Sequence, residues 1–216
     1  MIELHNIDCM EYLATLQENA FELAIVDPPY GIKMHGGKSY GCPSRPTLYK
    51  KLKPPKHESK SWDNNRPDLA YFTELERVTK NRVIWGGNYF SDFLPPSMGW
   101  VYWGKFENGS DFSDGELAYT SFDRALRSFR VHPFSGTNGG KNRIHPTQKP
   151  VKLYEWLLHN YAKEGDRILD THLGSGSSAI ACHNGGFDFV GCELDTDYFN
   201  AAKKRLQQHQ SQIRIF

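Results

Sequence analysis

The sequence predicts an α/β protein built on a doubly wound sheet, and two observations carry that expectation. Short apolar runs that fit strands alternate with stretches whose apolar residues recur every three or four positions, as amphipathic helices require. Two of the strand ends also carry turns suited to ligands. Asp27-Pro28-Pro29-Tyr30 follows FELAIV, and a Gly-x-Gly turn follows RILD. Open α/β sheets bind ligands outside the carboxyl ends of their strands.

Taken in order, Ile2 to Leu4 reads as a short strand, Cys9 to about Leu16 as a helix, and Phe21 to Val26 as a buried strand that Pro28 and Pro29 end sharply. From Gly31 to about Asn65 the chain is rich in Gly, Pro, Lys and Ser, with little apolar periodicity. That is longer than a compact domain keeps structureless without a functional reason, and it reads as a basic, mobile loop, residues 31–65. DLAYFTELERVTK spaces Leu69, Phe72, Leu75 and Val78 at threes, as a helix does, and RVIWGG follows as a strand. WVYWG, ELAYTSF and a segment near Ser128 to His132 read as further strands. Pro150 suits the start of the helix VKLYEWLLHNYA. The chain then runs through a strand RILD, a Gly-rich turn, a helix SSAIACHNG, a strand FDFVGCEL and a last helix from Asp195 to about His209. No internal repeat is evident, and 216 residues make one domain, 1–216, with long loops.

Composition narrows the class. Mean hydropathy is −0.62 and no apolar run approaches twenty residues, so no spanning helix is expected. The start, MIELHNIDCMEYL, has no basic flank ahead of an apolar stretch, which leaves a cytoplasmic location as the expectation. Cysteines at 9, 42, 182 and 192 form no CxxC pair, so reduced thiols are expected and no metal. Net charge is +1, but residues 31–60 and 123–149 together carry +12, leaving −11 elsewhere. Such segments suit a polyanion, because Lys and Arg release counterions from a phosphate backbone; solvated loops would look the same by charge alone.

Of the two turns, the C-terminal one places Gly174 and Gly176 where a ligand can approach the backbone, with Ser177 beside them. About twenty residues on, Glu193 ends the strand FVGCEL, where an acid accepts both hydroxyls of a ribose. The third glycine of a dinucleotide fingerprint is missing, so a nucleoside without phosphates fits better. At the other turn, Asp27 and the Pro28 carbonyl can accept the two protons of a planar amine. That pushes its nitrogen toward a tetrahedral form with an available lone pair, while Tyr30 stacks on the ring. An ordinary strand-ending turn has the same sequence, and it is the second site that favours chemistry. A sulfonium methyl at one strand end and an amine at a neighbouring end permit in-line transfer, in which positioning is the main resource.

With these residues the chain resembles the amino-methylating DNA methyltransferases, in the class whose catalytic motif precedes the cofactor motif. The resemblance implies a Rossmann-like, S-adenosylmethionine-dependent methyltransferase fold: a doubly wound, mostly parallel sheet of seven strands, one of them reversed. It implies S-adenosylmethionine as cofactor, S-adenosylhomocysteine as product, and duplex DNA with a flipped target base as partner. Asp27, Pro28, Pro29 and Tyr30 match the catalytic tetrapeptide, and Asp at its first position resembles the adenine enzymes. Asp170, Gly174 and Gly176 match the cofactor loop, Glu193 the ribose acid and Asp8 the acid at the cofactor adenine. In HPTQKP, residues 145–150, the resemblance gives Thr147, Gln148 and Lys149 to the methionine carboxylate, and Asn88 of WGGNYF to the methionine pocket. Where the family reads Asp-Pro-Phe, this chain has Asp170-Thr171-His172, and His172 either packs on the cofactor or belongs to the core. Larger members carry a distinct recognition region. Here only residues 123–143 and the basic loop are available, so recognition is compact or shared with a second subunit in a homodimer.

The expected activity is methylation of the adenine exocyclic amine at specific DNA sites, in the manner of restriction-modification enzymes. The rivals are the cytosine amine, adenine in RNA, and a nucleic-acid-binding relic of the fold without chemistry. A protein-glutamine methyltransferase would carry its cofactor loop first and Asn in place of Asp27.

Overall fold

The structure is a computed structural model, and it describes residues 1–32, 63–105, 113–138 and 140–212. Most of the expected basic loop, residues 33–62, lies outside the described residues.

Among the described residues, eight strands form one sheet: β1 (Ile2–His5), β2 (Phe21–Val26), β3 (Thr79–Trp85), β4 (Trp100–Gly104), β5 (Gly115–Thr120), β6 (Arg127–Arg130), β7 (Arg167–Asp170) and β8 (Asp188–Cys192). They lie in the order β1-β8-β7-β2-β3-β5-β4-β6. β5 alone runs against its neighbours, β3 and β4, while every other pairing is parallel. The single reversed strand was expected. The count of seven is corrected to eight, because Arg127–Arg130 pairs in parallel with β4 and adds an edge strand. β6 is mostly exposed, so it carries little of the apolar alternation that marks a buried strand.

Among the described residues, five α-helices cover the two faces: α1 (Cys9–Ala14), α2 (Leu69–Val78), α3 (Val151–Tyr161), α4 (Ser177–Gly185) and α5 (Thr196–Gln210). Successive side chains of a strand point to opposite faces, and the core divides accordingly. Leu23 and Ile25 of β2, Val83 and Trp85 of β3, Ile168 and Phe189 pack with Leu153 and Leu157 of α3, Ile180 of α4 and Leu206 of α5. Ala24 and Val26, with Ile84, Leu169 and Val190, pack with Leu13 of α1 and with Phe72, Leu75 and Val78 of α2. These strands are buried on both faces, which is why they read as continuous apolar runs. Asp68 and Asp195 cap α2 and α5 by accepting from backbone N–H groups of the first turn.

The topology also fixes where a ligand can sit. From β2 the chain winds through α2 to β3 on one side; from β7 it winds through α4 to β8 on the other. β2 and β7 are neighbours, so a crevice opens between their carboxyl ends, at the point where the winding reverses. Asp27 directly follows one of these strands and Asp170 ends the other.

Candidate active site

A cavity of about 930 Å³ opens at this switch point. Its wall includes Asp8, Asp27, Pro28, Pro29, Tyr30, Asn88, Thr147, Gln148, Lys149, His172, Gly174 and Glu193, so twelve of the fifteen residues picked from the sequence meet in one space. The other three, Asp170, Gly176 and Ser177, lie behind the wall and shape it.

At the β7 end, the Asp170 carboxylate accepts from the His172 N–H at 3.0 Å and from Ser178 Oγ at 2.5 Å. Burial pushes its carboxyl up to about 7. Gly176 stands at φ +71° directly before α4, and a Cβ there would lie 3.2 Å from the Ala202 side chain of α5. Left-handed backbone and close packing both favour glycine. Arg205 of α5 donates to the Ser175 carbonyl at 2.7 Å and to Ser177 Oγ at 2.9 Å, so the Ser177 hydroxyl is engaged inside the fold. Arg205 carried no motif and was not picked from the sequence.

Glu193 directly follows β8, across from this turn. One carboxylate oxygen accepts from the Gly174 N–H at 2.8 Å and the other from the Asp195 N–H at 3.0 Å. Each oxygen accepts one bond and keeps acceptor capacity for a hydroxyl. Asp8 caps α1 by accepting from the Met10 N–H at 2.7 Å. His172 is half-buried at the cavity wall, and desolvation lowers its pKa to about 4 and leaves the imidazole neutral. Its Nδ1 lies 2.9 Å from Thr171 Oγ1, which in turn lies 2.7 Å from the Tyr71 hydroxyl. The departure Thr171-His172 thus ties the loop to α2. Thr147 Oγ1 lies 3.1 Å from His145 Nδ1, and Gln148 Oε1 accepts from the Ile144 N–H at 3.0 Å, which braces the 144–148 turn.

At the β2 end, Tyr30 donates its hydroxyl to Asp27 Oδ1 at 2.7 Å. Burial, then the Asp27 charge, pushes the phenol well above its usual range, so it stays a donor. One face of the ring is stacked on Tyr89, centroids 4.8 Å apart and planes 15° from parallel. Gly86 abuts the same ring: a Cβ there would come within 2.2 Å of it. The backbone leaves the tetrapeptide with the Gly31 N–H donated to buried Asp63 at 2.9 Å.

Lys149 lines the cavity beside Asp27. Its ammonium lies 2.5 Å from Asp27 Oδ2 and 3.1 Å from Glu116 Oε2. Lys105 also clasps Glu116. Burial would lower the Lys149 pKa, but the two carboxylates outweigh it and the ammonium is held charged. Burial would raise Glu116, yet Lys149 and Lys105 bring it down to about 2. Glu116 was missed because one acid at the start of ELAYTSF carries no spacing signal; only the antiparallel insertion of β5 beside β3 brings it here. Among the described residues, no group of His, Cys, Asp and Glu could hold a metal ion.

The family model described as DNA methylase matches residues 122–204, which contain the 144–150 turn, the glycine turn and Glu193. The Type II methyltransferase M.HpaI of Haemophilus parainfluenzae is 27% identical over 92% of this chain and 72% of its own length. The Type II methyltransferase M1.MboII of Moraxella bovis is 22% identical over 95% of this chain and 96% of its own. The solved structure of the M1.HpyAVI–SAM complex superposes with a TM-score of 0.62 at 20% identity, covering 95% of this chain and all of that one. With these residues gathered at one switch-point cavity, the chain is similar to the DNA methylase family over residues 122–204 and to Type II methyltransferases over most of its length.

Proposed function

We propose that the protein transfers a methyl group from S-adenosylmethionine to an exocyclic base amine in DNA, with adenine N6 as the target. The observation that carries this reading is the joining, in one cavity, of the Asp27–Tyr30 turn with the Gly174–Glu193 ribose site. Its relatives M.HpaI and M1.MboII are Type II methyltransferases, and the similar M1.HpyAVI structure is a complex with SAM.

The cavity suits the cofactor chemically. Glu193 offers acceptors for the ribose hydroxyls, Asp8 an acceptor for the adenine amine, and Asn88, Thr147 and Ser175 line the polar end. Bound there, the cofactor supplies an electrophilic methyl on a sulfonium sulfur and leaves as S-adenosylhomocysteine. The residues of this chain do the rest. Asp27 accepts one proton of the amine as a hydrogen bond and the Pro28 carbonyl the other, so the nitrogen lone pair leaves the ring system and faces the methyl. Methyl transfer to that nitrogen, with cleavage of the cofactor's S–C bond, would leave a surplus amine proton, which Asp27 would accept. The neutral His172 adds no positive charge beside the sulfonium. A paired base reaches Asp27 only by leaving the stack.

Asp at the first tetrapeptide position supports adenine. The cytosine amine presents the same group and is the alternative. Incubation with unmethylated duplex DNA and methyl-labelled S-adenosylmethionine, followed by nucleoside analysis, tests the reading. Label in N6-methyladenosine upholds it, label in N4-methylcytidine keeps the mechanism and changes the base, and absence of label from any nucleoside overturns it.

A further inference from the structure

Asp27 is held from two sides. A carboxylate turns easily about its last torsion, which is broad and roughly two-fold. Here Tyr30 donates to Oδ1 at 2.7 Å and Lys149 to Oδ2 at 2.5 Å, so the carboxylate plane has little freedom. Lys149 is itself only 3% exposed and is centred by four groups: the carboxylates of Asp27 and Glu116, and the rings of Trp85 and Tyr30, 5.3 and 5.9 Å from the ammonium. Glu116 is anchored in turn by Lys105, which leaves two acids and two ammonium groups, balanced in charge. Buried charges persist only when paired in this way.

We infer that Glu116 and Lys149 are positioning residues of the amine site: Glu116 holds the Lys149 ammonium on Asp27 Oδ2, and the ammonium fixes the plane in which Asp27 meets the incoming amine. The inference rests on the methyl-transfer reading above. Their effect falls on the reacting geometry, because a small misplacement of the acceptor costs turnover while leaving remote binding intact. The rival role for Lys149, a hold on the methionine carboxylate, predicts the opposite split.

The test compares Glu116→Gln, Lys149→Met, Lys149→Arg and the Glu116→Gln/Lys149→Met double variant with the wild-type enzyme. It measures kcat and KM on duplex DNA, S-adenosylhomocysteine affinity by calorimetry, and melting temperature. Glu116→Gln and Lys149→Met should each lower kcat by roughly 10- to 100-fold and leave S-adenosylhomocysteine affinity within about threefold. The double variant should be no slower than Lys149→Met, since the two act as one unit, and Lys149→Arg should recover part of the loss. Should Lys149→Met unfold, the split is read from Glu116→Gln, which keeps size and removes only charge. Normal kcat in Glu116→Gln, additive losses, or a Lys149→Met variant that loses cofactor affinity and keeps kcat would each overturn the inference while leaving the methyl-transfer reading intact. A folded wild-type enzyme that binds S-adenosylhomocysteine yet methylates no nucleic acid would overturn both.

Discussion

The carboxylate of Asp27 and the ammonium of Lys149 meet 2.5 Å apart although 122 residues separate them in the chain. This contact joins the turn after β2 to the turn before α3, and several consequences of the site follow from it.

Asp27→Asn should lower methyl transfer at least about 100-fold, because a neutral amide both accepts and donates and cannot hold the amine as a carboxylate does. S-adenosylhomocysteine binding should survive. Asp27→Ala should do the same and also lower the melting temperature, since it strips a partner from a buried ammonium. Near-normal turnover in Asp27→Asn would show that the catalytic site lies elsewhere.

Gly86→Ala should damage the site from behind. The residue stands at φ +68°, and its new Cβ would fall on the Tyr30 ring, itself backed by Tyr89. Left-handed strain and overpacking together cost about 1–3 kcal/mol, and the displaced ring should loosen its bond to Asp27. Thermal denaturation and kcat should fall together; a variant with wild-type values of both would refute this packing.

For Glu193→Gln the loss should fall on cofactor binding. Removing a charged acceptor costs about 1.5–3 kcal/mol, or roughly 10- to 100-fold in affinity for S-adenosylhomocysteine by calorimetry. The Gly174 N–H can still be accepted by the amide oxygen, so the fold should hold. An unchanged affinity would remove Glu193 from the ribose site.

Asp170 and His172 should pull stability in opposite directions with pH. Asp170 titrates near 7 when folded, against about 3.9 unfolded, so its contribution is present at low pH and is lost as pH rises through 7. His172 titrates near 4 when folded, against about 6.5 unfolded, so its contribution is present above that and is lost as pH falls toward 4. The two oppose each other between about pH 4 and 6.5. Asp170→Asn should uncover the histidine: its melting temperature relative to wild type should rise with pH over this range, by at most about 1.4 kcal/mol per pH unit, or roughly 3–6 °C for a chain of this size. A constant difference across the range would mean that Asp170 is ionised in the folded protein.

Helices and buried strands were legible because their apolar spacing is local. α2 follows from apolar residues spaced at threes, α3 from Pro150 at its start, and β2, β7 and β8 from runs buried on both faces. β6 was legible as a strand but is displaced by a residue or two, since its exposed edge offers no apolar phase to fix the ends. Residues of the glycine turn were legible because their chemistry is contiguous. Glu116, Lys105 and Arg205 were not, since a single charge in a strand or helix looks alike whether it faces solvent or a buried partner.

By itself, then, the sequence determined the α/β class, the two strand-end turns and the acid that follows β8, because periodicity and short motifs are properties of neighbouring residues. Only the tertiary structure decided that the two turns share one cavity, that Lys149 turns toward Asp27, and that Glu116 arrives from the one reversed strand to hold it there. Those depend on strand order and on which buried charges find each other, and both are settled by contacts between residues far apart in the chain.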